Sequence, residues 1–172
     1  MGKRSRTLRS GFTTGTAAAA AAKAAVMRLV LGRTPEAVEV ELLTGVRLRI
    51  PVHGCRVDPD GSAACTVVKD AGDDPDVTHG AEIGARVRLL DGCGLRIAGG
   101  PGVGRVTKPG LDVAPGEPAI TPGPRRMIAA AVGEALAESG RMQAVEVEVF
   151  VPEGEAIARR TLNARLGILG GI

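Results

Sequence analysis

Four carboxylates crowd into the stretch Val67 to Gly80: Asp70, Asp73, Asp74 and Asp76. Side chains so close repel one another unless a cation, a set of amides or a helix start compensates them. In a cleft they could accept hydrogen bonds from a ligand, or one could take up a proton as general base. The plain alternative is an exposed turn, with Gly72, Pro75 and the aspartates supplying turn chemistry. His79 follows, between Thr78 and Gly80. A lone histidine in this setting reads as a loop hydrogen-bonding residue rather than a metal ligand, and no metal is assigned. His53, at a strand end, is given no role.

Two further stretches could meet anions. Gly11-Phe12-Thr13-Thr14-Gly15-Thr16 precedes a run of alanines. Thr14 or Thr16 can cap a helix there, and the hydroxyls of Thr13, Thr14 and Thr16 with the first amides make an anion site. Simple capping explains the same residues. Gly99 to Gly110 is rich in glycine and carries Arg105 and Lys108. Arg105 and Val106 stand where a Walker loop needs Lys and then Ser or Thr, and the GxGxxG spacing is absent. Backbone at Gly102 and Gly104 that can approach a ligand remains, with a glycine turn as the alternative.

The elements that must hold these residues follow from periodicity. Alanines from 17 onward favour a helix to Leu31, stopped by Gly32, thin enough to lie close to a sheet. Val38, Val40 and Leu42 alternate with Glu39 and Glu41, and Val46, Leu48, Ile50 and Val52 with Arg47 and Arg49. Gly45 in the loop supplies a left-handed residue. The resulting register sets Glu41 against Arg47, Glu39 against Arg49 and Val40 against Leu48. After the turn Asp58 to Gly61, strands are expected from Ala63 to Val68, around Ile83 to Leu89 and at Leu95 to Ile97. A proline-rich start beside Arg125 leads to a helix ending at Gly140, and Val145 to Val151 alternates as a strand. A short helix follows Pro152. The fold class is α+β: a mostly antiparallel or mixed sheet covered by two main helices.

Composition narrows the function. With 172 residues, the chain suits a single domain over 10–172 after a basic tail, 1–9, expected to be disordered. Two Phe and no Trp or Tyr leave a core of aliphatic residues and no aromatic platform for single-stranded nucleic acid. The net charge of +3 owes much to Lys3, Arg4, Arg6 and Arg9. No nucleic-acid reader motif accompanies them. Cysteines 55, 65 and 93 lack CxxC spacing, so neither a disulfide framework nor a zinc site is expected, and a reducing cytoplasm fits. Cys93 reads as a small buried residue. Lys23 breaks the alanine run, which argues against a secretory signal, and no membrane span is assigned.

Several stretches together resemble the cobalt-precorrin-5B C(1)-methyltransferases of anaerobic cobalamin biosynthesis. They are Gly11 to Thr16 with the alanines and Lys23, Val67 to Gly80, Gly102 to Leu111, Gly116 to Ile120, and Thr161 to Gly171. Two departures stand out. Ala17 occupies a position where the family often has cysteine, and Thr121-Pro122 replaces the usual Asn-Pro. Family members are about twice as long, so the chain resembles the N-terminal part of a two-part protein, with a missing C-terminal half or a homo-oligomer completing it.

The resemblance implies methyl transfer from S-adenosylmethionine to ring carbon C-1 of a cobalt corrinoid, which needs positioning and electrostatics more than a nucleophile. On that basis Asp70, Asp73 and Asp74 are the catalytic candidates. Thr13, Thr14, Gly15, Thr16, Arg105, Lys108 and Arg125 would hold the substrate's carboxylates. Gly72, Asp76, Thr78, Gly102 and Gly104 would meet the methyl donor. A non-catalytic module binding an anionic ligand such as a corrinoid is the competing class.

Overall fold

Alanine sets the geometry of the interior. The computed structural model describes residues 9–172, and its central element is α1, Thr14–Leu31. Ala17 to Ala22, Ala24 and Ala25 are at most 4% exposed. A helix apolar on every side must be wrapped on every side, and methyl side chains let its neighbours come close. Gly32 closes α1 in the left-handed conformation, at φ +70°. At the other end Thr13, not Thr14 or Thr16, is the cap: its hydroxyl accepts the Thr16 amide at 3.1 Å. Thr16 is instead drawn into the core, with its hydroxyl toward the Met127 sulfur. Among the described residues α1 is the one helix long and apolar enough to cross a membrane, yet 78% of it is buried inside the fold.

Against one side of α1 lies a five-stranded sheet. Its strands are β3 Gly54–Val57, β4 Ala63–Val68, β5 Glu82–Leu90, β6 Leu95–Gly99 and β8 Ala144–Phe150, in the order β3-β4-β5-β8-β6. All neighbours are antiparallel except β6 and β8, so the sheet is mixed. Ile83, Ala85 and Val87 point to α1 together with Cys65, Val67, Val147 and Val149, all nearly inaccessible. The opposite face is a charged ladder. Arg86 faces Glu148 and Arg88 faces Glu146, and Asp58 and Asp60 reach Arg86 and Arg88 from the turn before β4. Alternation with a period of two separates these faces.

On its other side α1 packs against α2, Pro122–Ser139. The two main helices are therefore stacked, with α1 between the sheet and α2. The hairpin of β1 Ala37–Glu41 and β2 Arg47–Pro51 has the expected register, pairing Glu41 with Arg47, Glu39 with Arg49 and Val40 with Leu48. Gly45 turns it at φ +83°. Lys23, buried in mid-helix, spans the space between hairpin and α2. Its ammonium donates to the Glu39 carbonyl and to Glu134. Glu134 also takes Arg47, and the two cations hold its carboxyl down at about 2.

The remaining chain closes one end. β7, Arg105–Val106, pairs with β9, Ile168–Leu169, beside the short helices α3 Gly154–Ala158 and α4 Asn163–Leu166. Two expectations fail here in the sheet region. Cys55 and Cys65 form a disulfide, with S–S 2.11 Å. The antiparallel register of β3 and β4 places them directly opposite each other, a proximity that spacing in the chain does not announce. Cys93 is exposed rather than buried, because it falls in the turn after β5.

Candidate functional site

The aspartate loop is folded against the chain's own N-terminal segment. Gly11 lets that strap lie on the loop, since a Cβ there would sit 2.2 Å from the Ala71 carbonyl carbon. The Phe12 amide donates to the Asp70 carbonyl at 2.8 Å, and Ser10 bridges Gly72. Arg9 clamps both ends. Its guanidinium grips Asp70 through both nitrogens, its amide donates to the Asp73 carboxylate, and its carbonyl accepts the Asp73 amide. Arg9, at the end of the basic tail expected to be disordered, is docked on the loop. Lys3, Arg4 and Arg6 lie outside the described residues.

Strap, loop and helix start enclose a cleft of about 440 Å³. Thr13 and Thr14 line it from α1, Lys69 from the end of β4, and Asp74, Asp76 and Thr78 from the loop. Lys69 is the residue that sequence reasoning passed over. It is 3% exposed, and its ammonium donates to Asp76 at 2.7 Å. In sequence it looks like the polar end of a strand. The signal available was a lysine bordering four acids, where one buried cation could serve as counter-ion.

Each aspartate has a different setting. Asp70 carries Arg9, accepts the Gly72 amide and lies below its ordinary pKa, the Arg9 hydrogen bond being the main cause. Asp73 caps the Arg9 amide. Asp76 is held at about 2, first by Lys69 and then by the Thr78 hydroxyl and amide. Asp74 borders the cleft, and no cation or donor meets its carboxylate among the described residues. His79 accepts the Ala71 amide at Nδ1 and so serves the loop's own structure. Among the described residues no three His, Cys, Asp or Glu side chains converge as a metal site would require.

Other candidates are not brought to this cleft. A Cβ on Gly72 would lie 2.0 Å from the Arg9 carbonyl oxygen, so its close approach is to the strap rather than to a donor. Gly102 and Gly104 are buried beneath Val151, Gly154, Ile168 and Gly171, which leaves their backbone covered by the chain itself. Arg125 donates to the Ile120 carbonyl at 2.8 Å and latches the start of α2. Arg105 is exposed and donates to the Gly116 carbonyl, and Lys108 is exposed on the same β7–β9 end. Gly15 faces a second, smaller apolar hollow with Ile83, Ile120 and Ile172, which meets the first cleft at Thr14.

Comparison with known proteins identifies the family. The chain is 56% identical to the cobalt-precorrin-5B C(1)-methyltransferase of Salinispora arenicola over 167 residues, covering 96% of this chain and 43% of that protein. It is 52% identical to the protein of the same name from Pelobacter propionicus over 171 residues, with 96% and 42% covered. The chain thus spans less than half the length of the curated relatives it matches. A crystal structure of the cobalamin biosynthesis protein (cbiD) from Archaeoglobus fulgidus superposes with TM-score 0.72 at 33% identity, covering 96% of this chain and 51% of that one. The CbiD family model matches residues 1–172, and the chain belongs to the CbiD family.

Proposed function

We propose that this chain forms part of an enzyme that transfers a methyl group from S-adenosylmethionine to ring carbon C-1 of cobalt-precorrin-5B, in the cytoplasmic, anaerobic route to cobalamin. The observation that carries the proposal is identity above 50% to named methyltransferases across nearly the whole chain. The donor supplies an electrophilic methyl group, and the ring carbon supplies the electron pair. The protein's task is then to hold the two in line, exclude water and keep charges matched, for which no nucleophilic side chain is needed.

Asp74 is the carboxylate of the loop open to a ligand, so it replaces Asp70 and Asp73 as the acidic group acting on one. Asp70 and Asp73 serve by holding the strap through Arg9. Arg105 and Lys108, exposed at the β7–β9 end, fit the acetate and propionate fringe of the macrocycle. Arg125 keeps α2 in place. The substrate's fringe would be held by scattered cations and the donor by the cleft, with the two regions joined through Thr14 and the apolar hollow.

The test is transfer of an isotopically labelled methyl group to cobalt-precorrin-5B by this chain, alone and joined to the remaining segment its relatives possess. Labelled product in the joined form supports the proposal. Corrinoid binding without transfer in that form would make the protein a binding module instead.

A further inference from the structure

We infer that the cleft of Thr14, Lys69 and Asp74 recognises the zwitterionic end of an α-amino acid, with Asp74 taking the ammonium group and Lys69 and the start of α1 taking the carboxylate. The inference deepens the methyl-transfer proposal and rests on it for the identity of the whole donor. Charge accounting is the first argument. Arg9 satisfies Asp70 and Asp73, and Lys69 with Thr78 satisfies Asp76. Asp74 is the one carboxylate of the loop that meets no donor among the described residues.

Lys69 supplies the second argument. A lysine ammonium has three donors and no acceptor. Here one donor reaches Asp76 at 2.7 Å, and no other acceptor meets it among the described residues. The side chain is 3% exposed and stands on the cleft wall. Buried donors are costly to leave unmatched, and a ligand carboxylate would complete the set. The positive end of α1 at Thr14 opens on the same space and favours a negative group.

These demands select the ligand. A simple anion would meet the unmatched carboxylate of Asp74, and a simple cation would meet Lys69 and the helix start. A group carrying both charges on one carbon satisfies both walls and adds no net charge. The volume of about 440 Å³ is ample for such a group.

The experiment is calorimetric titration of the chain with L-methionine, S-adenosylhomocysteine, the des-amino analogue 4-(methylthio)butanoate and the des-carboxyl analogue 3-(methylthio)propylamine. Methionine and S-adenosylhomocysteine are expected to bind, with each analogue weaker than methionine by about tenfold or more, the usual worth of a charge-assisted hydrogen bond. Asp74→Asn should weaken methionine by about tenfold while leaving the des-amino analogue unchanged. Asp74 is exposed and meets no partner among the described residues, so this variant should fold; Lys69→Met is the companion, expected to cost methionine more than the des-carboxyl analogue. Equal binding of all four ligands, binding of none, or indifference to Asp74→Asn would overturn the inference. The two proposals fail separately. Methyl transfer by the joined protein with an unchanged donor KM in Asp74→Asn would retain the activity and remove the zwitterion site. Correct ligand discrimination without any transfer would do the reverse.

Discussion

Lys69 and Asp76 illustrate how much one pair can fix. The lysine is buried, the aspartate stands half in water, and the Thr78 amide and hydroxyl complete the carboxylate. The folded pKa of Asp76 is depressed to about 2. Its stabilising contribution is therefore complete above the ordinary carboxylate value and is lost as pH falls through the folded one. Loop order, followed by the Thr78 and Gly80 amide resonances, should decline between about pH 4 and pH 2, and Asp76→Asn should remove the part of that dependence due to Asp76, leaving the part due to Asp70. Screening keeps the effect local, because Asp76 is 38% exposed. The crowding of acids was visible in sequence, and so was the need for compensation. Which acid was free was not visible, because the compensating Arg9 lies 61 residues from Asp70. A pairing of that span is decided by tertiary approach at Gly11 and Gly72, not by local pattern.

At the scale of elements, α1 shows what alanine accomplishes. Ala21 is fully buried, whereas Ala129 on α2 is exposed. Ala21→Leu inserts three carbons between closely packed layers and should cost about 1–3 kcal/mol or more in denaturant unfolding, while Ala129→Leu should stay within about 0.5 kcal/mol. The helix, its Gly32 stop and the hairpin register could all be read beforehand, because each rests on local propensity or period-two patterning. The cap could not. Thr13, Thr14 and Thr16 are chemically alike, and the choice of Thr13 follows from Thr16 being claimed by the core beside Met127. The second glycine stretch misled for a similar reason. Glycine signals close approach, and at Gly102 the approaching groups belong to Val151 and Gly171 rather than to a ligand.

The whole molecule is layered, with the charged ladder of the sheet on one outside, α2 and the hairpin on the other, and α1 between them. The α+β class followed from the order of elements. The strand order did not, because β6 and β8 are brought together across the intervening α2; the Cys55–Cys65 contact instead depends on the local β3–β4 register. Enclosure of α1 has a further consequence for deuterium uptake. Backbone protons from Ala17 to Val30 can reach solvent only when the layers separate, so their exchange should report global unfolding. The amides of Thr14 and Gly15 lie at the end of the same helix but precede its internal ladder. They should exchange orders of magnitude sooner, and slow when the cleft is filled. One helix would then carry two clocks, one set by the stability of the entire protein and one by its ligand.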